Sequence, residues 1–330
     1  MIASMSATHE WRPFASLAML QARAELLAAI RDFFRQAGVL EVETPVCSRF
    51  AVTDLAIESL TSRYTGPGAP AGLGLFLHTS PEFPMKRLLA AGSGPIYEIC
   101  KVFRDGELGR RHNPEFTLLE WYRPGFDHRQ LMGEVAELVN RLLPEPRPVE
   151  RLAYAEAFHR HLGIDIQAFD ATGLQQVAQR EQISGAESLQ LDWDGWLDLL
   201  LSHAIEPHLG RGTLCFLYDY PASQAALARV RPGNPPVAER FELYLEGMEI
   251  ANGFHELSDA DEQRRRFEVD NQNRRAAGLV EPPMDEYLLA ALQAGLPDCA
   301  GVALGIDRLL MQVSGAEQIR QVLAFPFERA

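Results

Sequence analysis

The sequence has few cysteines and no long apolar segment. Its four cysteines, Cys47, Cys100, Cys215 and Cys299, lie far apart in the chain and form no C-x-x-C pair. Disulfide frameworks and metal clusters use closer spacing, so we expect reduced thiols. No apolar run approaches the roughly 18 residues of a membrane span, and no apolar stretch follows a basic start near Met1. We therefore expect a cytoplasmic protein that does not use a membrane.

The sequence also lacks an excess of basic residues. It has 31 Lys+Arg against 45 Asp+Glu, which gives a formal net charge of −14 and a pI of about 5.1. Proteins that bind nucleic acid stably usually display a basic face, so this balance argues against such a partner. With 47% hydrophobic and 23% charged residues, the 330-residue chain is typical of a globular protein with one large or two modest domains.

Hydrophobic periodicity predicts an α+β fold. An amphipathic helix should run from Leu17 to Ala37, with Ser16 as its N-cap and Gly38 after its last turn. The predicted strands lie at residues 39–43, 96–104, 116–122, 241–254 and 301–305. Because these strands follow one another without regular crossover helices, we expect an antiparallel sheet.

A proline-rich segment at residues 143–149 interrupts this pattern. The residues that follow contain helical stretches such as 193–208, but no group of residues that indicates chemistry. We therefore predict a single domain over residues 1–330, with an insertion at about 145–240 that packs on it.

The segment from residue 103 to 123 is the densest in chemical groups. In a strand here, alternation places Phe116, Leu118, Glu120 and Tyr122 on one face. A face with an aromatic ring, a carboxylate and a phenol is better suited to binding a nucleotide base and a cation than to packing in an apolar core. A solvent-facing amphipathic strand is the alternative, and it fits this segment about equally well.

Four basic residues crowd the loop before that strand, namely Arg104, Arg110, Arg111 and His112. Arginine guanidinium groups bind phosphate oxygens in bidentate fashion, so the loop suits a polyphosphate. A solvated charged surface is the alternative.

A second cluster combines carboxylates with an apolar strand pattern. Glu242, Glu249 and Glu256 would be costly to bury unless Mg²⁺ with phosphates, or an ammonium group, compensates them. Glu249 is odd-numbered whereas Asn252 and Glu256 are even, so a common site requires a bulge or turn, which we place at Gly253. An edge strand with an acidic outer face is the alternative.

A third segment runs from Gly301 through Gly305 to Arg308, from a strand into the start of a helix. Glycine admits a ligand close to the backbone, and a helix N-terminus favours phosphate. Arg308 could instead pair with Asp307 or Glu317.

In this order, the segments resemble the three signature motifs of class II aminoacyl-tRNA synthetases. The helix and strand ending at Pro45 resemble motif 1, residues 103–122 motif 2 and residues 301–310 motif 3. The sequences RHNPEFT at 111–117 and ANGFHEL at 251–257 are most similar to lysyl-tRNA synthetases. The resemblance implies the class II catalytic core, an antiparallel β-sheet flanked by helices, and a homodimer that packs through motif 1.

The chain departs from those synthetases because no anticodon-binding domain precedes motif 1. That architecture resembles the elongation factor P–(R)-β-lysine ligases, as do TSPE at 79–82, EWYRP at 120–124 and GVALG at 301–305. Ser80 and Ala303 replace the alanine and glycine usual in the synthetases. The resemblance implies ATP-dependent activation of (R)-β-lysine as its adenylate and transfer to a lysine of elongation factor P.

The resemblance also implies roles for individual residues in ATP binding. Arg104 would contact the substrate carboxylate and the α-phosphate, and Arg308 the far end of ATP. Glu242 and Glu249 would hold Mg²⁺. The other implied ATP-binding residues are Asp105, Gly106, His112, Asn113, Phe116, Glu249, Ile250 and Gly305. Gly106 stands where the family commonly has a glutamate near adenine, so Glu107 or the backbone would supply that contact.

For the amino acid, the resemblance implies a pocket of carboxylates. Glu256 and Tyr122 would receive the ε-ammonium and Glu82 the other amine. The remaining substrate-binding residues are Ser80, Pro81, Asn252 and Ala303. Buried carboxylates without a partner would reject uncharged side chains, which favours a cationic substrate.

Three alternatives remain open. A ligase of the asparagine synthetase A type has similar length, but it would need cationic residues for an aspartate side chain. A lysine-activating minimal synthetase could charge tRNA directly. A non-catalytic regulatory paralogue would be a binding protein, although such proteins tend to lose the motif arginines and metal carboxylates that this chain keeps.

Overall fold

The fold is built on a large, mainly antiparallel sheet, which a computed structural model describes over residues 11–69 and 71–330. The first ten residues of the predicted domain lie outside the described residues. Within that part of the chain the strands are β1 (Leu40–Glu41), β2 (Cys47–Ser48), β3 (Thr61–Tyr64), β4 (Leu73–Leu77), β5 (Ile96–Phe103), β6 (Glu115–Pro124), β7 (Val149–Ala153), β8 (Leu214–Pro221), β9 (Val230–Arg231), β10 (Val237–Leu245), β11 (Met248–His255) and β12 (Cys299–Gly305).

Helices cover both faces of the sheet. In the same described residues they are α1 (Leu17–Gln36), α2 (Glu82–Ala90), α3 (His128–Leu142), α4 (Tyr154–Leu162), α5 (Ala171–Arg180), α6 (Trp193–Leu200), α7 (Ala260–Ala276), α8 (Glu286–Gly295) and α9 (Ile306–Ser314). No helix among them is long and apolar enough to cross a membrane.

The strand order confirms the predicted fold class. The main sheet runs β1-β5-β6-β12-β11-β10-β8-β7, and β9 pairs with β10. All its pairs are antiparallel except β1 with β5 and β8 with β7, which lie at the two edges. Three short strands, β2, β4 and β3, form a separate antiparallel sheet. The result is an α+β fold with an antiparallel sheet flanked by helices.

The first helix has the predicted start and caps and ends at Gln36, one residue before the predicted end. The Ser16 hydroxyl accepts a hydrogen bond from the Met19 N–H at 3.2 Å, and Gly38 adopts a φ of +67° after the helix. The predicted strand at 39–43 is shorter than expected and contains only β1. Beyond β1, the Val42 N–H still bonds to the Tyr97 carbonyl at 2.8 Å, and the Glu98 carboxylate accepts a hydrogen bond from the Thr44 N–H at 3.0 Å.

The predicted insertion contributes to the main sheet as well as packing on it. Strands β7 and β8 extend one edge, and α4, α5 and α6 cover them with a second apolar core. The predicted helix at 193–208 is present as α6 followed by a π-helical turn (Leu201–Ile205) and a 3₁₀ turn (Glu206–His208). The division into one domain with an insertion stays a prediction.

One face of the sheet is sealed by the main apolar core. Leu119, Trp121, Val302 and Leu304 belong to it, together with residues of α1, α3 and α9. Alternation along the strands sends the neighbouring residues to the other face. The fold therefore has one dry face and one face available for a site.

A buried carboxylate ties the first helix to the last. Asp307, at 1% exposure, accepts hydrogen bonds from the Arg23 guanidinium of α1 and, at 2.7 Å, from the Thr117 N–H of β6. Asp307 is therefore not a partner of Arg308, and Glu317 pairs with Arg110 instead. This contact fixes α9, and with it Arg308, against the central strands.

Candidate active site

A cavity of about 1530 Å³ lies on the open face of the sheet. It brings together most of the residues predicted from sequence, namely Ser80, Glu82, Arg104, His112, Asn113, Phe116, Tyr122, Glu242, Glu249, Ile250, Asn252, Glu256, Ala303, Gly305 and Arg308. The structure places Pro81, Asp105 and Gly106 outside the lining, whereas Glu107 belongs to it. In the motif 2 loop, the glutamate one residue after Gly106 is thus the one that faces the cavity.

Strand register aligns the central groups of the cavity in one row. Glu120 of β6 lies opposite Ala303 of β12, Ala303 opposite Asn252 of β11, and Asn252 opposite Glu242 of β10. Directly opposed residues in antiparallel strands share a face. Four strands that are distant in sequence therefore present one continuous row to the cavity.

A bulge in β11 brings Glu249 into line with Asn252, but not where we predicted it. Leu243 pairs with Ala251 whereas Tyr244 pairs with Glu249, so Ile250 is the extra residue. The prediction of a bulge at Gly253 was wrong. Gly253 instead allows close packing, because a Cβ there would lie 2.5 Å from the Phe241 ring.

The acidic end of the cavity contains an ammonium group of the protein itself. Lys86 of α2 is 1% exposed, and its Nζ lies 2.5 Å from Glu82 Oε1 and 2.6 Å from Glu256 Oε2. Burial opposes the charge on Lys86, but Glu256 and Glu82 outweigh it and raise the pKa of the amine. The expectation that these two carboxylates lack a protein partner was therefore wrong.

A third carboxylate lies deeper, at Glu120. The Ser80 hydroxyl and the Tyr122 phenol both donate to it at 2.7 Å. Burial, followed by repulsion from Glu82, raises the pKa of Glu120 to about 8. Burial raises the pKa of Glu256 to about 7 even though Lys86 opposes the shift.

The charges at this end of the cavity do not cancel. When ionised, three carboxylates face the single ammonium of Lys86, which leaves an excess of negative charge. The buried Oδ1 atom of Asn252 has no hydrogen-bond partner within the described chain, so it can accept from a ligand. Cationic hydrogen-bond donors are therefore the ligands that this end suits.

The opposite end of the cavity is rich in arginine. The Arg104 guanidinium lies 5.1 Å from the centroid of the Phe116 ring. Arg308 donates to Glu249 Oε2 at 3.0 Å and to His112 Nε2 at 2.6 Å. Burial, then Arg308, lowers the pKa of His112, which keeps the ring neutral and able to accept. Two guanidinium groups beside a partly exposed aromatic ring suit a nucleotide with its phosphates.

Carboxylates gather between these two ends. Glu242 accepts from Arg240 at 2.5 Å and from the Tyr244 phenol at 2.6 Å, and that phenol also donates to Glu206. Burial, followed by Glu242, raises the pKa of Glu206 to about 7. With Glu249, this set fits a divalent cation that shares phosphate oxygens as ligands.

Asn113 has a structural task in addition to its place in the lining. Its Nδ2 donates to the Glu115 carbonyl at 2.6 Å, and its Oδ1 accepts from the Phe327 N–H at 3.0 Å. Its side-chain amide therefore links the loop before β6 to the C-terminal segment.

Comparison with known proteins accounts for this arrangement. The sequence matches the tRNA synthetases class II (D, K and N) over residues 9–329. The chain belongs to this family.

Within the class II family, curated relatives match the chain from end to end. One from Klebsiella pneumoniae (strain 342) is 52% identical over 326 residues, covering 99% of this chain and 100% of the relative. One from Salmonella heidelberg (strain SL476) is 51% identical over the same 99% and 100%. Both are named elongation factor P–(R)-beta-lysine ligase, and the chain is a member of this ligase family.

Sequence reasoning missed three residues of this class II site. Lys86 stands four residues after Glu82, the spacing of a helical ion pair, and this signal could have found it. Glu120 was placed on the correct face, as a carboxylate that suits a cation, but it was not assigned to the substrate pocket. Glu206 lies in the predicted insertion, and we find no local signal for it.

The close packing of β12 against the acidic pocket generates a prediction. A Cβ at Gly301 would lie 2.2 Å from the Tyr122 ring and 2.5 Å from Glu256 Oε1. We expect Gly301→Ala to destabilise the protein by about 1–3 kcal/mol through overpacking. At Gly133, inside α3, the added Cβ would meet open space, so Gly133→Ala should stabilise by up to about 1 kcal/mol. Urea unfolding measures the free energy of unfolding of both variants. Equal changes in the two variants would contradict the close packing at Gly301.

Proposed function

We propose that the protein activates (R)-β-lysine with ATP as its adenylate and transfers the acyl group to the ε-amino group of a lysine of elongation factor P. One observation carries this: the same sheet face holds an acidic pocket at one end and two arginines at the other. The names of the full-length relatives support the choice of amino acid and acceptor.

The acidic end would bind the two amines of the substrate. Glu256 and Tyr122 would receive the ε-ammonium and Glu82 the other amine, with Glu120 below them as a further charge. A carboxylate–ammonium pair at about 4 Å is worth about 4 kcal/mol at an effective dielectric of 20, before desolvation. Two amines would supply the positive charge that Lys86 alone does not.

Two residues in the central row would align the substrate. The free Oδ1 atom of Asn252 would accept from an amine. Ala303 lies between Glu120 and Asn252, so its methyl group narrows the pocket floor where the synthetases usually have glycine. We infer that this methyl disfavours α-lysine and suits an amine shifted by one carbon.

The arginine end would carry the first chemical step. A substrate carboxylate oxygen attacks the α-phosphorus of ATP, an acyl–phosphate bond forms, and pyrophosphate leaves. Arg104 would stabilise the charge that develops on the α-phosphate, and Arg308 would hold the far phosphates. Glu242 and Glu249 would hold Mg²⁺, which neutralises phosphate charge when bound. Phe116 would stack on adenine.

The second step needs no covalent enzyme intermediate. The uncharged acceptor amine attacks the acyl carbon, a C–N bond forms, the bond to AMP breaks, and the amine releases a proton. Positioning and charge stabilisation suffice for this exchange.

We further propose a cytoplasmic homodimer that does not bind nucleic acid stably. The resemblance of α1 and β1 to motif 1 supports the dimer, and the excess of acidic residues supports the absence of a nucleic-acid partner. Sedimentation velocity at micromolar concentration tests the dimer, and a monomer there would contradict it.

Mass spectrometry of the acceptor tests the proposed function. With ATP, Mg²⁺ and (R)-β-lysine, elongation factor P should gain the mass of one β-lysyl group. Arg104→Ala should slow the reaction by at least about 100-fold, because it removes charge stabilisation at phosphorus. Arg275→Ala is the matched control, since Arg275 is 71% exposed and pairs only with Glu281 among the described residues.

Two other assays, ATP–pyrophosphate exchange and tRNA charging, distinguish the alternative functions. ATP–pyrophosphate exchange driven by aspartate, but not by lysine or β-lysine, would favour the asparagine synthetase A type. Formation of lysyl-tRNA would favour a minimal synthetase. A lack of exchange with any amino acid would favour a regulatory paralogue.

The raised pKa values of the pocket carboxylates predict a pH dependence. Glu256 and Glu120 have pKa values raised to about 7 and about 8, so both hold protons at lower pH. Ammonium groups bind the ionised forms, so the KM for β-lysine should fall as the pH rises from about 6 to about 8. Glu120→Gln should flatten the upper part of this change. A KM that is constant or rises with pH would contradict the prediction.

A further inference from the structure

The chain uses lysine sparingly, and one of its lysines is buried in the active site. Only two of the 31 basic residues are lysines, Lys86 and Lys101. Lys101 lies at the surface, 46% exposed, and pairs with Glu115 at 3.4 Å. Lys86 is 1% exposed and lies between Glu82 and Glu256. A buried ammonium carries a large desolvation cost, so its presence requires an explanation.

We propose that Lys86 is a positioning residue that determines substrate specificity. Its ammonium holds Glu82 and Glu256 at one separation. It also offsets one of the three negative charges that the pocket carries when its carboxylates are ionised, so that two ammonium groups of a substrate match the other two. This inference rests on the proposed function, because it concerns how the same pocket selects a diamino acid.

The geometry supports a positioning role. Glu82 belongs to α2, whereas Glu256 follows β11, so neither element fixes the other directly. Lys86 Nζ contacts both carboxylates at 2.5 and 2.6 Å and thereby joins α2 to the end of the central strand β11. Lys86 thereby restrains both carboxylates where Glu82 and Glu256 line the cavity.

The charge balance supports a role in specificity. The negative charges of Glu82 and Glu256 disfavour ionisation of Glu120, and the charge of Glu82 disfavours ionisation of Glu256. Without Lys86, the carboxylates would take up protons to relieve this repulsion. A protonated carboxyl does not require a cation as its partner. A pocket with protonated carboxyls could therefore also bind ligands that have one amine or none. Discrimination in favour of two amines would then be lost.

Packing alone does not explain a lysine at this position. Met85 and Leu89 already anchor α2 in an apolar cluster with residues of α8. A methionine at position 86 would fill similar volume without the cost of burying a charge. Lys86 is needed to compensate the charge of the two glutamates, and the glutamates are needed to bind a cationic ligand.

The test compares Lys86→Met with the surface control Lys101→Met in ATP–pyrophosphate exchange. The substrates are (R)-β-lysine and two analogues that each lack one amine, 6-aminohexanoate and 3-aminohexanoate. We expect Lys86→Met to raise the KM for β-lysine by about tenfold or more and to lower its preference over the monoamines by a similar factor. The kcat should change less than the KM, because the arginine end is untouched.

A purely structural role would give a different result. If Lys86→Met melts at a lower temperature but keeps the wild-type KM and preference, the inference is overturned. If Lys86→Met does not fold, Lys86→Ala with ethylammonium decides: dose-dependent recovery of β-lysine preference supports the inference, and no recovery overturns it. If the wild type shows no exchange with β-lysine, the proposed function fails together with this inference. If the wild type is active and Lys86→Met has the same KM and preference, only this inference is overturned.

Discussion

The burial of several carboxylates on one face of a sheet is the constraint on which this structure depends. Glu82, Glu120 and Glu256 lie within one pocket, and each loses hydration that only charge or hydrogen bonds can replace. The protein supplies one ammonium, two hydroxyl donors and little more. The negative charge that is left without a protein partner favours binding of a ligand with ammonium groups. Such a ligand relieves the repulsion between the carboxylates that raises their pKa values.

The rest of the fold holds the buried carboxylates and the arginines in place. The opposite face of the sheet is an apolar core that holds the central strands rigidly, and Asp307 ties α1 and β6 to the helix that carries Arg308. Register then places acidic and cationic ends on the same open face at a fixed distance. The acidic and the cationic end are therefore both present in the same cavity of this structure.

Several parts of this arrangement could be predicted from local sequence. Alternation placed Phe116, Leu118, Glu120 and Tyr122 on one face, and all four line the cavity. The bulge was required by parity, but local sequence did not show that Ile250, and not Gly253, is the extra residue. The position of a bulge depends on how the strand packs against its neighbours, and the sequence of one strand does not specify those neighbours. The neutralisation of Glu256 by Lys86 was missed because the two residues are distant in the chain.

The sequence by itself determined the first helix, the central strands, the fold class and which residue types carry the chemistry, since periodicity and motif order are local properties. Only the tertiary structure decided the pairing of charges: that Lys86 joins Glu82 to Glu256, that Glu206 approaches Glu242, and that Asp307 binds Arg23 and leaves Arg308 to Glu249. The physical reason is that the energy of a buried charge depends on neighbours in space, and strands far apart in sequence supply those neighbours.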